Sequence, residues 1–277
     1  MAVLTVAVAH FPARAGDPEG NLARMRPLAA SAAAAGCGLI LFAETCLHAY
    51  APIPENLARA EPADGPLAGK VSALAREYGI VVGAGFWERD DEALHNTHAA
   101  FFPDGRRVFQ RKHRLSEAEL NAGVRPGPAA RRVFEVDGAR CAFLICADSA
   151  SDAVWEDTVR QRVALRLHPT AGGGRRDEMM TADELAAPEG PARYEQARRC
   201  VFDVRATMPP PDAPAARGAT RAFASANALG HDGVTDDGWH RGHCLIVDGG
   251  GVVRAQLPGT PVLEHQEAAL AWAGLAF

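Results

Sequence analysis

Lysine is nearly missing from this chain of 277 residues: Lys70 and Lys112 are the only two, although arginine is plentiful. A general basic surface could have used arginine throughout, so each lysine calls for its own explanation. An excess of positive charge is missing as well. The net charge is −5, which predicts no binding to nucleic acid or to an anionic membrane surface. No stretch approaches the ~18 uninterrupted apolar residues of a membrane-spanning helix. No basic leader or clear cleavage site marks the start, and Ala2 to His10 is expected to be a first buried strand rather than a signal peptide. The six cysteines, at 37, 46, 141, 146, 200 and 244, lack the spacing of a zinc site or a disulfide framework. That pattern predicts a reducing, cytoplasmic setting with mostly buried thiols, Cys37, Cys46, Cys141 and Cys200 among them as packing residues. There is no solenoid-length repeat, no Gly-x-Ser-x-Gly elbow and no phosphate-binding loop. Gly83-Ala84-Gly85 has no strand-turn-helix context and is read as strand packing.

What is present can bury a large core. With 48% hydrophobic residues, residues 1–277 read as one domain in which strands alternate with helices. Strands are expected at 2–9, 39–42, 80–86, 132–136, 140–145, 221–227, 243–248 and 251–256. A hairpin is expected over 96–109, turning at Pro103-Asp104-Gly105. Helices are expected near 21–35, 66–78 and 152–164. Residues 171–218 are rich in Gly, Pro and Arg and read as a long irregular excursion around one helix near 190–204.

Three residues sit where chemistry could use them. Cys146 follows the buried strand Cys141–Ile145 and precedes a helix, and a nucleophile at such a turn is held rigidly beside backbone N–H groups able to receive an oxyanion. Glu44 ends an apolar strand, where a carboxylate is costly unless paired or used, and partial burial raises it toward the range of a general base. Lys112, within Arg111-Lys112-His113-Arg114, offers a compact charge that arginine would not. Each has a plainer reading: a packing thiol, a strand-end cap, a solvated surface charge. His231, Asp236, Asp237, His240 and His243 crowd one loop, but a Gly/Asp-rich turn with stray histidines is commoner than a metal site, and none is expected. Trp239 and His240 are placed at the mouth of the pocket.

The surroundings of the three residues resemble the nitrilase superfamily of carbon–nitrogen hydrolases. Gly38-Leu39-Ile40-Leu41-Phe42-Ala43-Glu44 looks like the strand carrying its general base. Asn96-Thr97 through Pro103-Asp104-Gly105 to Lys112-His113-Arg114-Leu115 resembles its lysine segment, and Leu144-Ile145-Cys146-Ala147-Asp148 its nucleophile. His168-Pro169-Thr170-Ala171, Asn227-Ala228-Leu229-Gly230 and Gly242 to Asp248 follow in the family's order. The resemblance implies a four-layer α-β-β-α sandwich, a Glu44-Lys112-Cys146 triad needing no cofactor, and a thioester intermediate. Glu119 is the better candidate for the second glutamate found in many members, with Glu117 the alternative. Ala147, His168, Trp239 and His240 are the expected substrate-binding positions. Members are usually dimers or assemblies of dimers.

Ala147-Asp148 after the cysteine departs from the nitrile-hydrolysing branch, and Ser149-Ala150-Ser151 lacks the arginines that hold a carboxylate in carbamoyl amino-acid hydrolases. A small linear amide is therefore expected ahead of a ureido compound. Other departures also fall around the pocket: Ala43 for a proline, His168 for an asparagine, and no Arg-Ala-x-Glu-Asn box upstream of Asn227. They leave two alternatives, a catalytically silent binding or scaffold protein with this fold, and an acyltransferase using the same thioester.

Overall fold

The computed structural model describes residues 2–174, 179–199, 213–236 and 238–277. In chain order its strands are β1 (Val3–His10), β2 (Leu39–Leu41), β3 (Val81–Asp90), β4 (Ala93–Phe101), β5 (Arg107–Arg111), β6 (Phe134–Val136), β7 (Ala139–Phe143), β8 (Leu165–Thr170), β9 (Gly173–Gly174), β10 (Phe223–Asn227), β11 (Leu229–His231), β12 (Trp239–Val247), β13 (Val253–Gly259) and β14 (Ala269–Ala276). The helices are α1 (Pro18–Ala34), α2 (Pro54–Leu57), α3 (Pro66–Tyr78), α4 (Glu117–Asn121), α5 (Asp152–Arg160), α6 (Ala182–Ala186) and α7 (Gly190–Arg199). One sheet runs β14-β1-β2-β3-β4-β5 and the other β11-β12-β10-β8-β7-β6, with β13 and β9 paired to β12.

Strand alternation explains the layering. Leu4, Val6 and Val8 of β1 point between the sheets, where they meet Phe143, Leu165, Leu167, Ala224 and Ile246. Ala7 and Ala9 point the other way, onto Met25 and Leu28 of α1 and Val71 and Leu74 of α3. Beyond the second sheet, Val154 and Trp155 of α5 pack on Leu144. Period-2 side chains thus serve two cores at once, and the architecture is the four-layer α-β-β-α sandwich. Among the described residues no helix is long and apolar enough to cross a membrane.

Several boundaries differ from expectation for local reasons. α1 begins at Pro18 because Asp17 accepts a hydrogen bond from the Gly20 N–H as its N-cap. α5 stops at Arg160, not 164, and Arg162 turns left-handed (φ 53°) before β8. β3 continues four residues past 86 because Asp91, at φ 52°, turns it tightly into β4. β14 was not expected at all; its Ala/Leu/Trp pattern gains meaning only as the antiparallel neighbour of β1. Within 171–218 the described parts hold more order than expected: β9, α6 with a Thr181 capping box, and α7. The rest of the helix expected near 190–204, and Cys200, lie outside the described residues.

Candidate active site

The site lies where β2, β5, β7 and β8 end, beside Asn96 of β4. Glu44 follows β2 in a turn whose next residue, Thr45, has a left-handed backbone (φ 43°). That turn rests on Gly85 of β3: a β-carbon there would lie 2.5 Å from the Thr45 nitrogen and 2.7 Å from His98 Nδ1. Glycine is required by this close approach, which gives Gly85 the packing role read from the sequence.

Lys112 follows β5 and is 1% exposed, whereas Lys70 is half-exposed and pairs with Glu19 on the surface. The two lysines thus divide into a surface charge and a buried one. Lys112 Nζ donates to Glu44 Oε1 and to Glu119 Oε2, each at 2.7 Å. Asn96 Nδ2 of β4 ties the same carboxylates together, at 2.8 Å to Glu44 and 2.6 Å to Glu119. Glu119 is fixed by a capping box at the start of α4, accepting from the Ser116 N–H while its own N–H reaches Ser116 Oγ. Glu117, one turn face away, is exposed. The structure therefore brings Glu119 to Lys112 and leaves Glu117 on the solvent side.

Burying two carboxylates against one ammonium has electrostatic consequences. Desolvation raises the Glu44 pKa above its ordinary value, with Lys112 opposing and Glu119 adding to the rise. Burial works against the charge on Lys112, but Glu44, Cys146 and Glu119 hold its pKa well above 10.5. Glu44 Oε1 takes both Lys112 and Asn96, while the buried Oε2 has no partner among the described residues. An open acceptor in that position is equipped to take a proton.

Cys146 begins a 3₁₀ turn, Cys146–Ala150, and holds a left-handed backbone (φ 49°). Of the five described cysteines it alone is not buried. Burial pushes the other thiols up, Cys37 to about 11 and Cys46 and Cys141 to about 12. The Cys146 thiol is also pushed up to about 12, by desolvation first and then the Glu44 charge, with Lys112 pulling the other way. Its sulfur accepts a hydrogen bond from Thr170 Oγ1 of β8 at 3.3 Å.

Asp148, two residues on, is a positioning group that sequence reasoning missed. Its Oδ1 accepts the N–H groups of His113 (2.9 Å) and Arg114 (2.8 Å), and its Oδ2 those of Ile145 (3.1 Å) and Arg131 Nη1 (2.9 Å). One buried carboxylate thus latches the Lys112 segment to the Cys146 turn. Asp-x-x-x patterns are too common for spacing to have revealed it. Tyr50 was also missed: its ring lies 5.5 Å from Lys112 Nζ and its hydroxyl 2.7 Å from Ser116 Oγ.

The four expected substrate-binding positions separate. His240 lines a small pocket against Glu44 with Phe11, Ala13, Ala43, Tyr50 and Leu229. Ala147 is half-buried beside Cys146. Trp239, next to His240 on β12, packs against His231 at a tilt of 40°, with ring centroids 4.4 Å apart. His168 is fully buried, with Nε2 3.0 Å from the Cys146 carbonyl and Nδ1 3.1 Å from Ser225 Oγ. Strand alternation and depth set these contacts, and neither is visible in a linear motif. Among the described residues no three His, Cys, Asp or Glu side chains converge as metal ligands; Asp237 lies outside them.

Comparison with known proteins bears on this arrangement. Residues 5–197 match the family model described as carbon-nitrogen hydrolase. A hydrolase from the pqqF 5′ region of Pseudomonas protegens is 30% identical over 152 residues, covering 52% of this chain and 51% of that protein. A Mycobacterium tuberculosis hydrolase is 32% identical over 157 residues, covering 54% and 55%. The chain therefore spans about half the length of the curated relatives it matches. In fold it is similar to an amidase from a Nesterenkonia species, with TM-score 0.72 and 20% identity over 99% of this chain and 90% of that one. That amidase is also known with butyramide bound, again at TM-score 0.72 and 20% identity over 99% of this chain and 91% of that one.

Proposed function

The chain belongs to the carbon-nitrogen hydrolase family, and from that membership we propose that it hydrolyses small linear amides through a thioester on Cys146. The observation that carries the reading is the open Oε2 of buried Glu44, in a cluster where Lys112 bridges two carboxylates. With the thiol held up near 12, sulfur keeps its proton at rest. Attack then requires Glu44 to take that proton as the C–S bond forms. Two protons of the Lys112 ammonium go to Glu44 and Glu119; the third, with the Ala147 N–H, receives the oxyanion. Collapse expels the amine as it takes the proton back from Glu44. Glu44 then deprotonates water, which cleaves the thioester to acid and thiol. Glu119 and Asn96 hold Lys112 and Glu44 in register.

Substrate size follows from the pocket beside Glu44. Its walls include Ala13, Ala43, Ala49 and Ala228, with Phe11, Tyr50 and Leu229 but not Cys146, and small apolar surroundings of this kind beside the base favour a short aliphatic acyl group. None of those lining residues offers a cation for a substrate carboxylate, so ureido acids rank below amides. The resemblance to Nesterenkonia amidase supports the same class.

The test combines iodoacetamide labelling, read by intact mass, with a panel of acetamide, propionamide, butyramide and N-carbamoylglycine. Cys146 should label faster than every other thiol, and Glu44→Gln should reduce amide turnover about 10²–10⁴-fold. Cys146→Ala should abolish turnover. Labelling no faster at Cys146 than elsewhere, with no turnover on the panel, would move the protein to the silent, binding reading. Diversion of product by added amines would indicate acyl transfer.

A further inference from the structure

Resting on the thioester reading, we infer that Ser225 and His168 form a positioning relay that sets the direction of the oxyanion-binding N–H at Ala147. The nucleophile sits at φ 49°, a left-handed region that is sterically costly for a side-chain-bearing residue. Something must hold it there. Strand β8 does so at two points. Residues 168 and 170 lie on one face of the strand, and while Thr170 Oγ1 meets the Cys146 sulfur, His168 Nε2 meets the Cys146 carbonyl at 3.0 Å.

The second contact has a consequence for catalysis. The peptide joining Cys146 to Ala147 is planar and trans, so its carbonyl and its N–H point in opposite directions. Holding the Cys146 oxygen toward His168 therefore aims the Ala147 N–H to the opposite side. A carbonyl only accepts, so Nε2 carries the ring proton. Burial keeps the imidazole neutral, its pKa lowered to about 4, which leaves Nδ1 as an acceptor. Ser225 Oγ lies 3.1 Å from Nδ1 and also donates to the His168 carbonyl at 3.0 Å, so its one proton is shared between two acceptors, and Ser225 and His168 are direct partners across the β10–β8 register. The chain of contacts runs from the Ser225 hydroxyl to Nδ1, and from Nε2–H to the Cys146 carbonyl.

Two chemistries at the same sulfur separate this role from a merely structural one. Acylation by p-nitrophenyl acetate passes through an oxyanion, whereas alkylation by iodoacetamide does not. His168→Ala should slow the acylation burst about 10²-fold and leave alkylation of Cys146 close to the wild-type rate. His168→Gln, whose amide nitrogen reaches the position of Nε2, should recover most of the burst. Ser225→Ala, which leaves the ring in place, should cost roughly fivefold, the worth of one neutral hydrogen bond. Nitrogen-15 NMR should find His168 neutral and protonated on Nε2. Acylation and alkylation falling together, no recovery with glutamine, or a proton on Nδ1 in an active wild type would each overturn the relay. A wild type that neither acylates nor labels preferentially at Cys146 would overturn the thioester reading, and the relay with it.

Discussion

At the scale of single residues, two positions carry backbone or electrostatic strain that can be measured. Ala49 lines the pocket with φ 60°, a conformation in which glycine has no steric cost. Ala49→Gly should therefore stabilise the fold by about 1 kcal/mol, the left-handed penalty outweighing the added freedom of the unfolded chain. Urea denaturation monitored by circular dichroism would measure it; a loss of stability would show that the alanine methyl contributes more through packing. Glu44 must be ionised to act as a base, and burial raises its pKa above 4.5. The acid limb of kcat/KM should thus lie above the ordinary carboxylate range, activity falling as pH drops through it. An acid limb at or below 4.5 would remove Glu44 from that role.

At the scale of elements, the site depends on contacts that bring loops together. Gly85→Ala puts a methyl into the backbone of the Thr45 turn. It should displace Glu44 and cost about 1–3 kcal/mol of stability, seen as a lower urea midpoint together with slower turnover. Asp148 joins the end of β5 to the Cys146 turn, and its ion pair with Arg131 is fully buried on both sides. Asp148→Ala leaves Arg131 without that carboxylate, an uncompensated buried charge worth about 3–5 kcal/mol. Iodoacetamide labelling of whatever folded protein remains should lose its preference for Cys146. Retained preference would mean that the two segments hold their places without the latch.

At the scale of the whole molecule, five of the six buried histidines set the response to acid. Desolvation lowers His10, His48, His168 and His240 to about 4 and His98 to about 3, from an ordinary 6.5. Unfolded, each would bind a proton below 6.5 that the folded protein refuses until near 4. Stability is therefore complete above pH 6.5 and declines toward pH 4, by up to about 1.4 kcal/mol per pH unit for each imidazole. Glu44 acts in the opposite sense, since its raised pKa lets the folded state take a proton first, but it is one group against five. Tm should be nearly level from pH 8 to 7 and fall steeply below 6.5. A flat Tm down to pH 5 would mean that these rings gain partners when protonated.

The order of the elements and the triad candidates were legible because each is written in local pattern: strand alternation, turn residues, and short motifs at the ends of apolar strands; the layered fold was legible only through the family resemblance those motifs carry. The strand β14 was not legible, because a short Ala-rich segment becomes a strand only when β1 offers its edge. Glu119 and Glu117 are equivalent in spacing, and only the capping box of α4 and the reach of Lys112 separate them. The contacts of His168 with the Cys146 carbonyl and of Trp239 with His231 are equally hidden in one dimension, because depth beneath Cys146 sets the first and alternation along β12 the second. Local sequence determined which groups this protein has to work with. Tertiary packing decided which of them share a low-dielectric space, and proximity there sets their charge, orientation and use.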